Sequence, residues 1–222
     1  MQVEKIIDSR KSCRAFLSRQ VDRHLLRSII ITASRAPSNG NLQPWQIYVL
    51  TGSSLAKLKR TTKLKIDDQV PMQDPEYLVY PKPLKDVYDR RRRQIGEDLY
   101  QILGITRDDR EKRRGQFAKN ALLFGAPVGL FAYIDRSLSY GQWMDLGMYL
   151  QNVMLLCESN GLATCPQGYW TFFHETVREA TGAPEDLMLA CGVAIGFEDG
   201  DAPINKLRST RVAPDNFAVF ID

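Results

Sequence analysis

The chain contains 222 residues, of which 44% are hydrophobic and 25% charged, fractions that are typical of a globular protein and exclude disorder as its default state. Its net charge is +4, from 30 basic and 26 acidic side chains, which is too small to indicate nucleic acid or a membrane as a partner. The four cysteines form no Cys-x-x-Cys pair and there are two histidines, so the ligand spacing of a zinc site is missing. Because the N-terminus carries no apolar signal segment, we expect reduced thiols and a cytoplasmic location.

Hydrophobic periodicity predicts a single α+β domain over residues 1–222. Apolar residues at helical spacing predict helices over 3–9, 22–35, 53–66, 86–103, 107–123, 142–160 and 173–181. Short apolar runs predict strands over 45–50, 127–134, 162–168 and 187–197. The segment from 67 to about 100 begins with a proline-rich irregular stretch. Its length is usual for a lid or a binding loop.

A polar loop joins the helix that ends near Arg35 to the strand that begins near Trp45. Pro37 and Pro44 lack an amide hydrogen and disfavour the helical conformation in the residue before them, so this loop belongs to neither element. Such a loop is able to bind the edge of a flat polar heterocycle, but the same residue types are typical of an ordinary capping loop. The polar residues between the two prolines are Ser38, Asn39, Asn41 and Gln43.

Two basic clusters lie far apart in the chain. The first runs from Arg10 to Arg14 around Ser12; if it is extended, Arg10, Ser12 and Arg14 share one face. Two guanidinium groups beside a hydroxyl suit a phosphate or carboxylate ligand, while a solvated basic loop is the alternative. The second cluster, Asn205 to Arg211, lies close to the C-terminus.

The helix predicted over 142–160 is apolar on nearly every side. Its main stripe includes Trp143, Leu146 and Val153, and Met148 and Leu155 extend the apolar surface around it. A helix of this kind is buried in a core or against a second subunit.

Four segments occur in the order and at the spacing of the nitroreductase family of FMN-dependent oxidoreductases, which this sequence resembles over nearly its whole length. Within that family the sequence is most similar to the nitrobenzoate-reductase-like subgroup. The four segments are Arg10 to Arg14, Ala36 to Trp45, Gly161 to Thr164, and Asn205 to Arg211.

This resemblance implies an α+β nitroreductase-like fold with a central, mainly antiparallel sheet flanked by helices. It also implies an intertwined homodimer with two FMN sites at the subunit interface. In the family the two basic segments meet at the FMN phosphate, and Arg14 approaches the N1 and C2 carbonyl edge of the ring. The residues that this comparison assigns to the phosphate end are Arg10, Lys11 and Ser12, together with Arg208 and Arg211, between which it does not choose.

The same resemblance assigns two further segments to the flavin ring. The polar loop, with Pro37, Ser38, Asn39 and Asn41, would come from the partner subunit, and Gln43 would approach the pyrimidine edge. The segment Pro166-Gln167-Gly168 would bring backbone amides to flavin N5 and O4, where glycine leaves room for close approach. Better-known members carry an acidic residue in place of Gln167, so a role that requires a carboxylate is lost here.

The activity implied is NAD(P)H-dependent reduction of a small aromatic acceptor, nitroaromatic or quinone-type, by a ping-pong hydride-transfer mechanism. Either NADH or NADPH would be the reductant, and no side chain acts as nucleophile or metal ligand. One alternative keeps the fold but fragments flavin or removes halogen from its substrate. The other is a non-catalytic nucleic-acid-binding protein that uses Arg90 to Arg93 with Tyr88 and Tyr100, for which a net charge of +4 is low.

Overall fold

The protein is described by a computed structural model that covers residues 3–221. A single sheet of four antiparallel strands lies at its centre, in the order β1-β2-β4-β3. The predicted α+β class with a mainly antiparallel central sheet is therefore confirmed. The strands are β1 (Gln46–Thr51), β2 (Val128–Asp135), β3 (Ala163–Gln167) and β4 (Leu187–Gly196).

Seven helices surround the sheet in the described part of the chain. Most begin and end within a few residues of the predicted bounds. The helices are α1 (Val3–Ser9), α2 (Arg23–Ala33), α3 (Gly52–Asp67), α4 (Asp86–Ile102), α5 (Arg110–Ala118), α6 (Tyr140–Ser159) and α7 (His174–Thr181).

The helix predicted over 107–123 is shorter than expected. Helix α5 ends at Ala118 and continues as a 3-10 segment, Lys119–Gly125. Within that segment Leu123 and Phe124 adopt positive φ angles of 50° and 53°, which a helix does not contain. The side chain of Leu123 is fully buried against β2, so burial in the core outweighs the helical tendency of this stretch.

The two faces of the sheet carry two cores, and β2 contributes to both. Leu130 and Ile134 point toward α2 and α6, whereas Phe131 and Tyr133 point toward α3, α7 and the 3-10 turn that contains Trp170. The rings of Phe131 and Trp170 meet edge to face, with centroids 5.4 Å apart. Because β2 is buried on both faces, it forms the centre of the molecule, as its uninterrupted apolar sequence predicts.

The C-terminal segment runs over the surface and joins no strand. Phe217, Val219 and Phe220 are 71%, 84% and 90% exposed, an unusual degree of exposure for three apolar side chains so close together. Between residues 3 and 221 no helix has the length and apolar character needed to cross a membrane. In the same range no group of three or more His, Cys, Asp or Glu side chains is arranged to hold a metal ion.

Candidate cofactor site

A cavity of about 720 Å³ opens where α1, α4, α6 and the C-terminal segment meet. Both predicted basic segments contribute to its wall, although about 200 residues separate them in sequence. Ile95 of α4 and Gln151 of α6 add to the lining, together with two acidic side chains of α1. The predicted site residues that line it are Arg10, Lys11, Ser12, Arg14, Arg208 and Arg211.

The first basic segment is extended and fixed beside strand β3. The amide of Cys13 donates to the carbonyl oxygen of Thr164 at 2.9 Å, and Cys13 is fully buried. On the other side, Asn205 accepts a hydrogen bond from the amide of Arg14 at 2.7 Å and donates to the carbonyl of Ala15 at 2.8 Å. This extended backbone places neighbouring side chains on opposite faces, as the sequence pattern predicts.

The side chain of Asn205 joins the two basic segments, a role that the sequence analysis missed. Asn205 is 2% exposed; its side chain bonds to Arg14 and Ala15, and its backbone carbonyl oxygen accepts a hydrogen bond from the ammonium of Lys11 at 2.6 Å. The ammonium of Lys11 also pairs with Glu198 at 2.8 Å. The positive charge of Lys11 is therefore already balanced within the chain, although its side chain lines the cavity.

Arg208 and Arg211 have different surroundings. The guanidinium of Arg208 donates to the carbonyl oxygens of Asp8 and, at 2.9 Å, of Ser9, at the C-terminal end of α1. Cations are favourable there because the last carbonyls of a helix lack intrahelical partners. The hydrogen bonds of Arg211 stay within its own segment, to Ser209 and Thr210, and among the described residues no carboxylate pairs with it. Arg211 is thus the more available of the two for a ligand.

The guanidinium groups of Arg208 and Arg211 lie near that of Arg10. Burial lowers the pKa of Arg10 from its ordinary value, and the positive charges of Arg211 and Arg208 lower it further, while Glu158 acts in the opposite direction. Like charges collected at a partly buried position destabilise one another, and a bound anion relieves that repulsion. The positive charge collected on this wall of the cavity therefore favours an anionic ligand.

The segment Pro166-Gln167-Gly168 ends strand β3 but does not line the cavity. The side chain of Gln167 is 3% exposed and donates to the backbone carbonyl and side-chain oxygens of Asn120, each at 3.0 Å. Its side-chain oxygen faces the indole nitrogen of Trp170 at 3.4 Å. Gln167 thus turns its side chain into the protein, and the backbone is what this segment offers to a ligand.

The nitroreductase family model matches residues 7–197, more than half of the chain. The chain belongs to the nitroreductase family. It is 35% identical over 218 residues to the 4-nitrobenzoate reductase of Pseudomonas putida, covering 98% of this chain and 95% of that protein. It is 32% identical over 219 residues to the chloronitrobenzene nitroreductase of Comamonas testosteroni, covering 99% and 96%.

A solved structure extends this similarity to the whole fold. The crystal structure of the FMN and NADPH-dependent nitroreductase NfnB from Sphigopyxis sp. strain HMH is 42% identical and superposes with a TM-score of 0.96 over 100% of both chains. The predicted family, its nitrobenzoate-reductase-like character and the nitroreductase fold are therefore confirmed.

In this nitroreductase the polar loop after α2 folds onto α6, away from the cavity of its own chain. Asn39 donates from its backbone and its side chain to the two carboxylate oxygens of Asp145, at 3.1 and 3.2 Å. Ser38 accepts from the amide of Gln43 at 3.0 Å, and Asn41 has a positive φ of 58°. No residue from 36 to 45 lines the cavity, so the structure does not bring this predicted group together with the basic segments within one chain.

The two cysteines nearest the site are not reactive thiols in this nitroreductase. Burial raises the pKa of Cys13 to about 12 and that of Cys165 to about 11. A thiol in this state is not ionised at neutral pH and is a poor nucleophile. Both are therefore buried, inert thiols.

Proposed function

We propose that this chain is an FMN-dependent NAD(P)H oxidoreductase that reduces nitroaromatic or quinone-type acceptors. The observation that carries the proposal is the convergence of Arg10, Arg208 and Arg211 on one cavity beside strand β3. FMN ends in a phosphate with a double negative charge, which is the kind of group that such a cluster holds. Relatives that match the chain over almost its full length include an FMN and NADPH-dependent nitroreductase and a 4-nitrobenzoate reductase.

The residues present fit FMN. A volume of about 720 Å³ lies within the usual range for sites that bind cofactors. Arg10, Ser12 and Arg211 would bind the phosphate directly, and Arg208 would act by holding the backbone of residues 8–10 in place. Lys11 would contribute least, because Glu198 balances its charge.

The protein has to bind and orient the cofactor and to control access to it. FMN, when bound, supplies two-electron redox chemistry that protein side chains lack. Arg14 would place a positive charge beside the ring, and the backbone of Gln167 and Gly168 would donate hydrogen bonds to its edge. NADH or NADPH and the acceptor would use this one site in turn, which predicts ping-pong kinetics.

The proposal includes a homodimer, in which the partner subunit supplies Pro37, Ser38, Asn39, Asn41 and Gln43 to the site. Support comes from the outer face of α6, where Met144 and Met148 are 64% and 39% exposed. Between them Gly147 has no neighbour within 4 Å of a β-carbon position, so nothing within the chain requires glycine there. An exposed apolar helix face and an apolar C-terminal segment are typical of surfaces that a second subunit covers.

The alternatives have weaker support. In the arginine run on α4, Arg92 and Arg93 pair with Asp89 at 2.7 and 2.6 Å. These internal pairs reduce the charge available to nucleic acid. Flavin fragmentation or dehalogenation would keep the fold, but the nearly full-length similarity to nitro-reducing enzymes favours nitro reduction.

Absorption spectroscopy of the purified protein tests this proposal. We expect flavin bands in the visible range, loss of those bands when NADPH or NADH is added without oxygen, and their return when 4-nitrobenzoate is added. Two separable half-reactions are what a ping-pong enzyme shows. A protein that binds no flavin after incubation with excess FMN would overturn the proposal.

A further inference from the structure

Residues 73–79 form a segment, here called the strap, that has no helix or strand and is nevertheless firmly attached to the protein. The amide of Gln73 donates to the carbonyl of Phe172 at 3.1 Å. The hydroxyl of Tyr77 donates to the carbonyl of Ala190, and its ring packs on Trp143 with centroids 4.8 Å apart. The strap therefore has a defined position across the end of β4.

A carboxylate in the middle of the strap holds it to two other elements. Glu76, with 13% of its side chain exposed, accepts hydrogen bonds from Arg136, after β2, and from Arg178 of α7. His174 lies 3.8 Å from its second oxygen. Burial alone raises the pKa of Glu76, but the hydrogen bond from Arg136 and the nearby positive charges more than offset it and lower the pKa overall. The ion pairs thus persist at neutral pH.

The strap ends with Val79 against the backbone of Gly168. A β-carbon added to Gly168 would lie 3.3 Å from one methyl group of Val79 and 4.0 Å from the other, with no other neighbour within 4 Å. Gly168 belongs to the segment that the proposed function places beside the reactive edge of the flavin. Valine is β-branched, so rotation about its χ1 bond is restricted.

We propose that Val79 limits the space for the acceptor beside Gly168, and that Glu76 is the positioning residue that keeps Val79 there. This inference rests on the proposed function and deepens it, since it assigns the choice among aromatic acceptors of different size to one side chain. Removing two methyl groups opens space for a larger ring system, whereas removing the charge of Glu76 lets the strap move and has the same effect indirectly.

The first test compares holoenzyme variants on nitrobenzene and 1-nitronaphthalene. We expect Val79→Ala to raise kcat/KM for the larger acceptor relative to the smaller by roughly 10-fold, the usual effect of a methylene-sized change in an apolar pocket. Val70→Ala is the matched control, since Val70 lies in the same irregular segment with 48% of its surface exposed, and should leave the ratio unchanged. An unchanged ratio in Val79→Ala would overturn the inference while the proposed function stands.

The second test examines Glu76. We expect Glu76→Gln to shift the ratio of kcat/KM for the two acceptors in the same direction as Val79→Ala. In the double variant, Glu76→Gln should change that ratio little beyond the effect of Val79→Ala alone. Glu76→Gln should also speed amide hydrogen exchange over residues 73–79. Asp74→Asn, an exposed carboxylate on the same strap, should do none of these. If Glu76→Gln lowers Tm without changing the ratio, its role is structural only and the positioning role is overturned.

A third measurement tests the contact between Val79 and Gly168 without measuring turnover. We expect Gly168→Ala to lower the Tm of the holoprotein, and Val79→Ala to reduce that loss because it makes room for the new methyl group. Equal losses in both backgrounds would contradict the contact. A wild-type protein that binds no FMN and reduces neither acceptor would instead overturn the proposed function, and this inference with it.

Discussion

Lys59 places its ammonium 2.6 Å from the carbonyl oxygen of Ala126, directly after the 3-10 segment in which three successive residues have positive φ. Burial lowers the pKa of Lys59 from 10.5 to about 8, because removal from water disfavours the charged form of the amine. The hydrogen bond satisfies a carbonyl that the strained turn leaves without a helical partner. The cost is a charged group held in a poorly solvated position.

Stability should therefore depend on pH through Lys59. Because the folded-state pKa of Lys59 is lower than the unfolded one, this side chain binds more protons in the unfolded chain between pH 8 and 10.5, and its contribution to the free energy of unfolding rises with pH there. Measured by urea denaturation, the free energy of unfolding of the wild type should gain about 1–3 kcal/mol relative to that of Lys59→Met over this range; the buried thiols, whose raised pKa values act in the opposite direction, affect both proteins alike. Lys57→Met, an exposed control on the same helix, should behave as wild type; equal pH dependence in all three would contradict the account.

At the same scale, the basic residues of the site could be predicted from sequence but their partners could not. The pairing of Lys11 with Glu198 and the contact of Arg208 with the carbonyls of α1 join positions about 190 and 200 residues apart. Nothing local in the sequence indicates such contacts, because they arise only when the fold brings the segments together. The same holds for Asn205, which resembles an ordinary polar loop residue in sequence, although its side chain makes three hydrogen bonds, to Arg14, Ala15 and Asp199.

At the scale of elements, strong periodicity predicted α6 and all four strands well, since apolar spacing directly reflects the face that is buried. The bounds of α4 were also predicted, although none of its residues is buried. It predicted α5 less well, because the turn at Leu123 and Phe124 is set by packing against β2. The strap was predicted only as part of an irregular segment with the length of a lid or a binding loop. Its position depends on Glu76 and Tyr77 contacting distant elements, which periodicity does not report.

At this scale, the exposed methionines of helix α6 allow the proposed homodimer to be tested. If its exposed methionines meet a second subunit, Met144→Glu with Met148→Glu should place charges in an apolar interface and separate the subunits. Sedimentation equilibrium should then give the 25.3 kDa of one chain for the variant and twice that for the wild type. Met72→Glu, which changes another exposed methionine, is the control. A wild type that sediments as a monomer would contradict the homodimer.

At the scale of the whole molecule, the candidate site depends on four elements that bring two distant cationic segments together. Strand β3 fixes residues 10–14, the end of α1 receives Arg208, and α4 and α6 complete the wall. The resemblance predicted which residues meet. The structure adds that Arg211 and Arg10 remain available for an anion, whereas Lys11 and Arg208 have partners within the chain.

The most direct test of this account is a fluorescence titration of the flavin-free protein with FMN and with riboflavin, which lacks the phosphate. Charged hydrogen bonds contribute about 1.5–3 kcal/mol each, so two of them predict that the wild type binds FMN at least roughly 100-fold more tightly than riboflavin. Arg10→Gln and Arg211→Gln should each reduce that preference about 10-fold or more. Equal affinity of the wild type for both flavins, or an undiminished preference in both variants, would contradict the account.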